Sequence, residues 1–197
     1  MDLYLRREKM YYMSLILGYA NKDNAIIMSD GRAGENGSLS EFYNKTRKIN
    51  DNIIIGFAGF AEPIEFFLNH ISTELGAEIE QYYIDDFWEI MTFHMNNKET
   101  QSHLKSTFII IGRTSNNEMY TSIIGNATNY ILEKHLVTST PRICSIGGTI
   151  DGKIINDIYT KNITQYHVPI KECMQTTVYE VAKLDCSVNA NCFSTAI

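Results

Sequence analysis

Helical patterns in this chain arrive in adjacent pairs between blocks of isoleucine-rich strand signal, and that order limits the fold more than any other feature. Strand signals fall at 14–20, 25–29 and 52–58, with Asn21-Lys22-Asp23-Asn24 as a connecting turn. A helix then starts near Glu62-Pro63, repeats Ile64, Phe67, Leu68, Ile71 and Leu75 at helical spacing, and closes at Gly76. A second runs over 82–96, with Tyr83, Phe87, Ile90, Met91 and His94 along one side. Strands return at 107–112, 118–124, 129–133 and 142–146. Helices follow at about 149–159 and 170–184, the second opened by Pro169, with a last strand at about 191–196. Residues 33–44 read as an exposed loop. Alternating βαβ units would interleave single helices, whereas pairs fit an α+β fold, a four-layer αββα sandwich of two mostly antiparallel sheets flanked by helix pairs.

Composition narrows the function. A formal charge of −6 argues against non-specific nucleic-acid binding, which needs phosphate-neutralising Lys and Arg; Arg6-Arg7-Glu8-Lys9 is too short and mixed to reverse that. The same residues break any signal-peptide core, and runs such as Phe108-Ile109-Ile110-Ile111 fall far short of a bilayer span, so a cytoplasmic protein off the membrane is expected. Cys144, Cys173, Cys186 and Cys192 have no paired spacing and read as reduced near-core side chains, not zinc ligands. His70, His94, His103, His135 and His167 are scattered without ligand spacing, so no metal or other cofactor is expected.

The chemistry-bearing residues gather in the first strand block. Ser14 starts the first strand, Asp30 ends the second in Asp30-Gly31-Arg32-Ala33, Lys45 opens Lys45-Thr46-Arg47-Lys48-Ile49, and Gly59 ends Phe57-Ala58-Gly59. A hydroxyl, a carboxylate, an ammonium and a glycine amide are what amide hydrolysis requires: a nucleophile, a charge pair to tune it and an oxyanion donor. Each has a plainer reading. Asp30 and Lys45 could form a surface ion pair, Gly59 could serve only a turn, and Asp185 could be an ordinary helix-end carboxylate.

These segments resemble the proteasome β-subunit and HslV-type peptidases among the N-terminal-nucleophile hydrolases, over essentially all of 14–190. Asp30-Gly31-Arg32-Ala33 is similar to that family's Asp-x-Arg-Ala segment, Lys45 with its Thr-Arg-Lys-Ile trailer to the family lysine, and Ile146-Gly147-Gly148 to its glycine-rich turn. Leu184-Asp185-Cys186-Ser187 resembles the aspartate segment after the last helix. The resemblance implies that Ser14 is the mature first residue, its hydroxyl the nucleophile and its own α-amino group the base. It also implies that Asp30, Lys45 and Asp185 are catalytic and that the Gly59 amide forms the oxyanion hole. An α-amine titrates near pH 8 when unperturbed, and a nearby ammonium moves it toward the free base.

Ser14 stands where threonine is commoner, Met13 where self-processing members carry glycine, and Cys186-Ser187-Val188-Asn189 where Ser-Gly-Gly is usual. Residues 1–13 are expected to be a leader or to lie upstream of the true start, with 14–197 as one domain. The implied function is a peptidase acting on peptides or unfolded proteins, a homo-oligomeric ring fed by an ATP-dependent unfoldase. The alternative is a catalytically inactive structural subunit on the same fold.

Overall fold

Leu15, Ile16 and Leu17 are all buried, yet they point into two different cores. Leu15 and Leu17 pack with Tyr159, Met174 and Val178, whereas Ile16 packs with Ile27, Ile54, Ile109 and Ile111. That alternation is the period-two geometry of a strand covered on both faces. The computed structural model describes residues 14–35, 38–165 and 168–197. The expected leader 1–13 and His167 lie outside them.

Strands β1 (Ile16–Ala20) and β2 (Ala25–Asp30) form a hairpin. Its turn is held by the Asn21 side chain, which accepts from the backbone N–H groups of Asp23 and Asn24 at 2.9 and 2.7 Å. They belong to a four-stranded antiparallel sheet in the order β10-β1-β2-β11, where β10 is Arg142–Ile146 and β11 is Cys192–Ala196. The second sheet runs in sequence order through β5 (Thr46–Asn50), β6 (Ile53–Ala58), β7 (Thr107–Arg113), β8 (Met119–Gly125) and β9 (Glu133–Leu136). Its alternation is as clear: Ile54, Ile109 and Ile111 face the first sheet, while Ile53, Ile55, Phe57, Phe108 and Ile110 face a helix layer.

That layer is α1 (Ala61–Leu75) and α2 (Ile84–Met95), joined by a 3-10 turn over Gly76–Gln81 and followed by the short α3 (Lys98–His103). The α1 stripe Ile64, Phe67, Leu68 and Ile71 is buried, and Gly76 closes the helix at φ 55°. Trp88 of α2 donates from Nε1 to Ser122 Oγ at 2.8 Å, which satisfies a polar atom inside that core. On the far side, α4 (Gly152–Gln165) and α5 (Ile170–Leu184) cover the four-stranded sheet through Ile155, Tyr159, Met174, Val178 and Val181. The four-layer αββα sandwich expected from the paired helices is the fold observed. No helix among the described residues is long and apolar enough to cross a membrane.

Several local expectations need correction. The loop expected at 33–44 contains a small hairpin of β3 (Ala33–Glu35) and β4 (Ser38–Ser40). Residues 46–50, which carry no apolar strand signal, form an edge strand, β5, through their pairing with β6, with Arg47 reaching Glu65 of the following helix and Lys48 exposed. The strand expected at 129–133 begins at Glu133, since Asn129 and Tyr130 adopt left-handed φ of 51° and 61°. The helix expected at 149–159 begins at Gly152 instead, because the backbone N–H groups of Thr149 and Ile150 are taken by Asp185.

The two sheets approach closely at Gly56, where a Cβ would lie 2.6 Å from Ile27 Cγ2 and 2.7 Å from Ile16 Cγ2. Branched side chains cannot swing away from that contact. Gly56→Ala is therefore expected to destabilise the fold by about 1–3 kcal/mol, an overpacking cost. A urea unfolding midpoint equal to that of the parent protein would contradict this.

Candidate active site

Leu15, Asp30 and Lys45 come together because β1 and β2 are hairpin partners and β5 lies against the end of β2. Asp30, the last residue of β2, donates its N–H to Leu15 O at 3.0 Å. Its Oδ1 accepts from Leu15 N at 2.9 Å and from Lys45 Nζ at 2.6 Å. Its Oδ2 accepts from Arg32 N at 3.1 Å and Asn189 N at 3.4 Å. One carboxylate thus ties the residue after Ser14 to the lysine. Lys45 is anchored at its own backbone, where its carbonyl accepts from Phe57 N at 3.1 Å and its N–H donates to Ser29 Oγ at 3.4 Å.

Both ions are out of solvent, Lys45 at 2% exposure and Asp30 at 0%. The surface-pair reading is thereby excluded. Burial pushes the Asp30 carboxyl above its usual range, against the pull of the Lys45 ammonium and the N–H donors. Burial likewise holds Lys45 below the ordinary lysine range, Asp30 opposes that, and the Arg32 guanidinium adds to it. The desolvation cost of such a pair often exceeds its attraction, so stability alone is a weak reason for it. Buried, mutually perturbed charges of this kind cluster at functional sites and also occur in structural ion pairs.

A second assembly holds Ser14 from the other side. Ser14 is 3% exposed, and its carbonyl accepts from Gly148 N at 3.2 Å. Gly147 and Gly148 have φ of 95° and 76°, and a Cβ on Gly147 would sit 1.4 Å from Ser14 O. Only glycine fits that approach. Asp185, just past α5, fixes this turn. Its Oδ2 accepts from Thr149 N and Ile150 N, and its Oδ1 from Ser187 N and Ser187 Oγ. Burial raises the Asp185 pKa, but these hydrogen bonds outweigh it and leave the group below its usual value. The described partners of Asp185 are thus the turn and Ser187, not the Asp30–Lys45 pair.

Gly59 follows β6 at φ 145°, ahead of α1. A Cβ there would meet Ser106 Oγ at 2.3 Å, so packing requires glycine at this point whatever its amide does. Two supporting residues escape the sequence reading. Asn189 Oδ1 accepts from Gly31 N at 2.8 Å, while its Nδ2 donates to Glu41 O and Glu41 Oε2 at 2.9 and 2.6 Å. Glu41 also pairs with Arg32 at 3.0 Å, and Arg32 Nη1 donates to the Cys186 carbonyl. The only hint in the chain is the run of short amides at Asn189 and Asn191, a residue type that binds nearby backbone.

Two face-to-face antiparallel sheets between helix pairs make up the proteasome-like N-terminal-nucleophile hydrolase fold. A family model described as proteasome subunit matches residues 13–111, half of the 197-residue chain. The chain belongs to that family. Among solved structures it is similar to eukaryotic HslV from Trypanosoma brucei, at 17% identity and TM-score 0.67, covering 92% of this chain and 98% of that one. It is also similar to Anbu, an ancestral beta-subunit from Yersinia bercovieri, at 12% identity and TM-score 0.66, covering 92% of this chain and 80% of that one. No curated protein matches it.

Lys45→Met strands a buried carboxylate and is expected to cost about 3–5 kcal/mol, most of which Asp30→Asn in the same chain restores by removing the charge. Urea midpoints of the single and double variants decide this; a double variant no more stable than Lys45→Met contradicts it. The lowered pKa of Asp185 stabilises the fold above the unfolded carboxylate range, and that contribution is lost as pH falls through the folded-state value. Asp185→Asn should therefore be less stable by about 1–3 kcal/mol at neutral pH. The gap should narrow below about pH 4. A gap that stays constant across a pH series of unfolding curves would refute the assignment.

Proposed function

We propose that this chain is a serine-type N-terminal-nucleophile endopeptidase. The observation that carries the proposal is the Asp30 carboxylate, which accepts from both Leu15 N and Lys45 Nζ and so fixes the lysine relative to the start of the first strand. The working domain is 14–197, with Ser14 at its head once residues 1–13 are absent or removed.

The Ser14 hydroxyl attacks a peptide carbonyl while its α-amino group takes the proton. Neutral amine is the useful form, and the Lys45 charge favours it by repelling an ammonium. The Gly59 amide donates to the oxyanion, an effect worth about 3 kcal/mol per donor. Collapse expels the leaving amine with the stored proton and leaves an ester on Ser14. Water then attacks that ester, with the amine again accepting a proton, and restores the hydroxyl. Asp30 keeps Lys45 charged and placed. Asp185 is a positioning residue, acting through the Gly147-Gly148 turn that holds the Ser14 carbonyl.

Substrates of this chemistry are peptides or unfolded chains. A closed homo-oligomeric ring fed by an ATP-dependent unfoldase, in the cytoplasm, is the setting that the family membership favours.

Protein beginning at Ser14 should hydrolyse fluorogenic peptides, and Ser14→Ala should reduce the rate to background. The Asp30→Asn, Lys45→Met double variant, used because it avoids a stranded charge, should lose about 10²–10⁴ in kcat, the range for an acid–base function. Full activity in either variant overturns the mechanism, and a folded protein inactive on every peptide supports the structural-subunit alternative.

A further inference from the structure

Away from Ser14, on the outer face of the five-stranded sheet, three ligand-type side chains converge. His70 and Glu74 stand one turn apart on α1, and His94 lies in the last turn of α2. The Glu74 carboxylate Oε2 is 3.0 Å from His94 Nε2 and 3.9 Å from His70 Nε2. All three ligand atoms lie within 4.8 Å of one another. Two of the histidines that look scattered along the chain, His70 and His94, are therefore neighbours in space.

We propose that His70, Glu74 and His94 bind a first-row divalent transition-metal ion of the zinc type. Two imidazoles and a carboxylate are a recognised three-ligand zinc set, with bonds of about 2.0–2.2 Å. Tetrahedral geometry at that bond length puts ligand atoms about 3.3–3.5 Å apart, and the two measured separations fall on either side of that value. Small rotations of the exposed Glu74 and His70 side chains close the difference. His94 is already held: its ring meets Phe67 at 5.9 Å and Phe93 at 5.4 Å, both edge-on, and His70 at 5.5 Å. A ligand whose orientation is preset loses little entropy on binding.

Three protein ligands leave a fourth position for water or an incoming donor. Here His70 and His94 line an open groove of about 760 Å³, together with Phe66, Phe93 and His103. The ion would staple α1 to α2 and present its free position to that aromatic groove, on the opposite side of the sheet from the Ser14 site.

The test uses the full chain without a polyhistidine tag, stripped with a chelator and titrated with zinc(II) chloride in a calorimeter. One ion per chain is expected, and cobalt(II) in its place should give the intense visible bands of a four-coordinate site. His70→Gln and Glu74→Gln, both on exposed side chains, should each weaken zinc binding by more than about 100-fold, the upper range for loss of a mere outer-shell partner. His94→Gln should do the same, with circular dichroism confirming that the helices persist. Absence of stoichiometric binding overturns the proposal. So does binding unchanged in His70→Gln and Glu74→Gln, which would reduce the cluster to an ordinary carboxylate–imidazole contact. Peptide hydrolysis is not the readout, so the two sites stand or fall separately.

Discussion

Everything at the head of the first strand depends on one carboxylate. Asp30 accepts four hydrogen bonds, from Leu15, Arg32, Lys45 and Asn189, while solvent reaches none of it. Removing such a group from water is costly, and only a full set of donors makes the ionised form tolerable. The donors are contributed by the residue before β1, by the turn after β2, by the residue before β5 and by the segment after α5. The charge therefore organises four separate pieces of chain, and it fixes an ammonium relative to the backbone just ahead of β1.

The C-terminal segment completes the arrangement from outside. Asp185 freezes the Gly147-Gly148 turn, which meets the Ser14 carbonyl, and Asn189 reaches the Asp30 carboxylate and the Gly31 amide. Arg32 and Glu41 lock the same segment from the solvent side. A tail that departs from the family sequence thus still does mechanical work with different side chains. Ser187 and Asn189 supply hydrogen bonds to the two aspartates at issue.

The fold was legible where burial imposes a period. β6 and β7 are covered on both faces and read as unbroken isoleucine runs, and the stripes of α1, α2 and α5 recur every three to four residues. β5 was not legible, because an edge strand is stabilised by pairing with β6 and carries Arg47 and Lys48. In the candidate site, the Asp30–Lys45 pair was legible through short motifs near the N-terminus. Asn189 was not: its partners Gly31 and Glu41 lie about 150 residues away, and no local pattern announces such a contact. The convergence of His70 and His94 was hidden for the same reason, since the packing of α1 against α2 creates it.

The central claim is that the hydroxyl and amine at the head of β1 act as one reactive unit. Mass-spectrometric mapping of a serine-directed electrophile tests it most directly, on two chains that differ only in whether Met13 precedes Ser14. The account predicts an adduct on Ser14 when its amine is free, and little or none when Met13 is retained. Equal labelling of both chains, or an adduct on another residue, would contradict it.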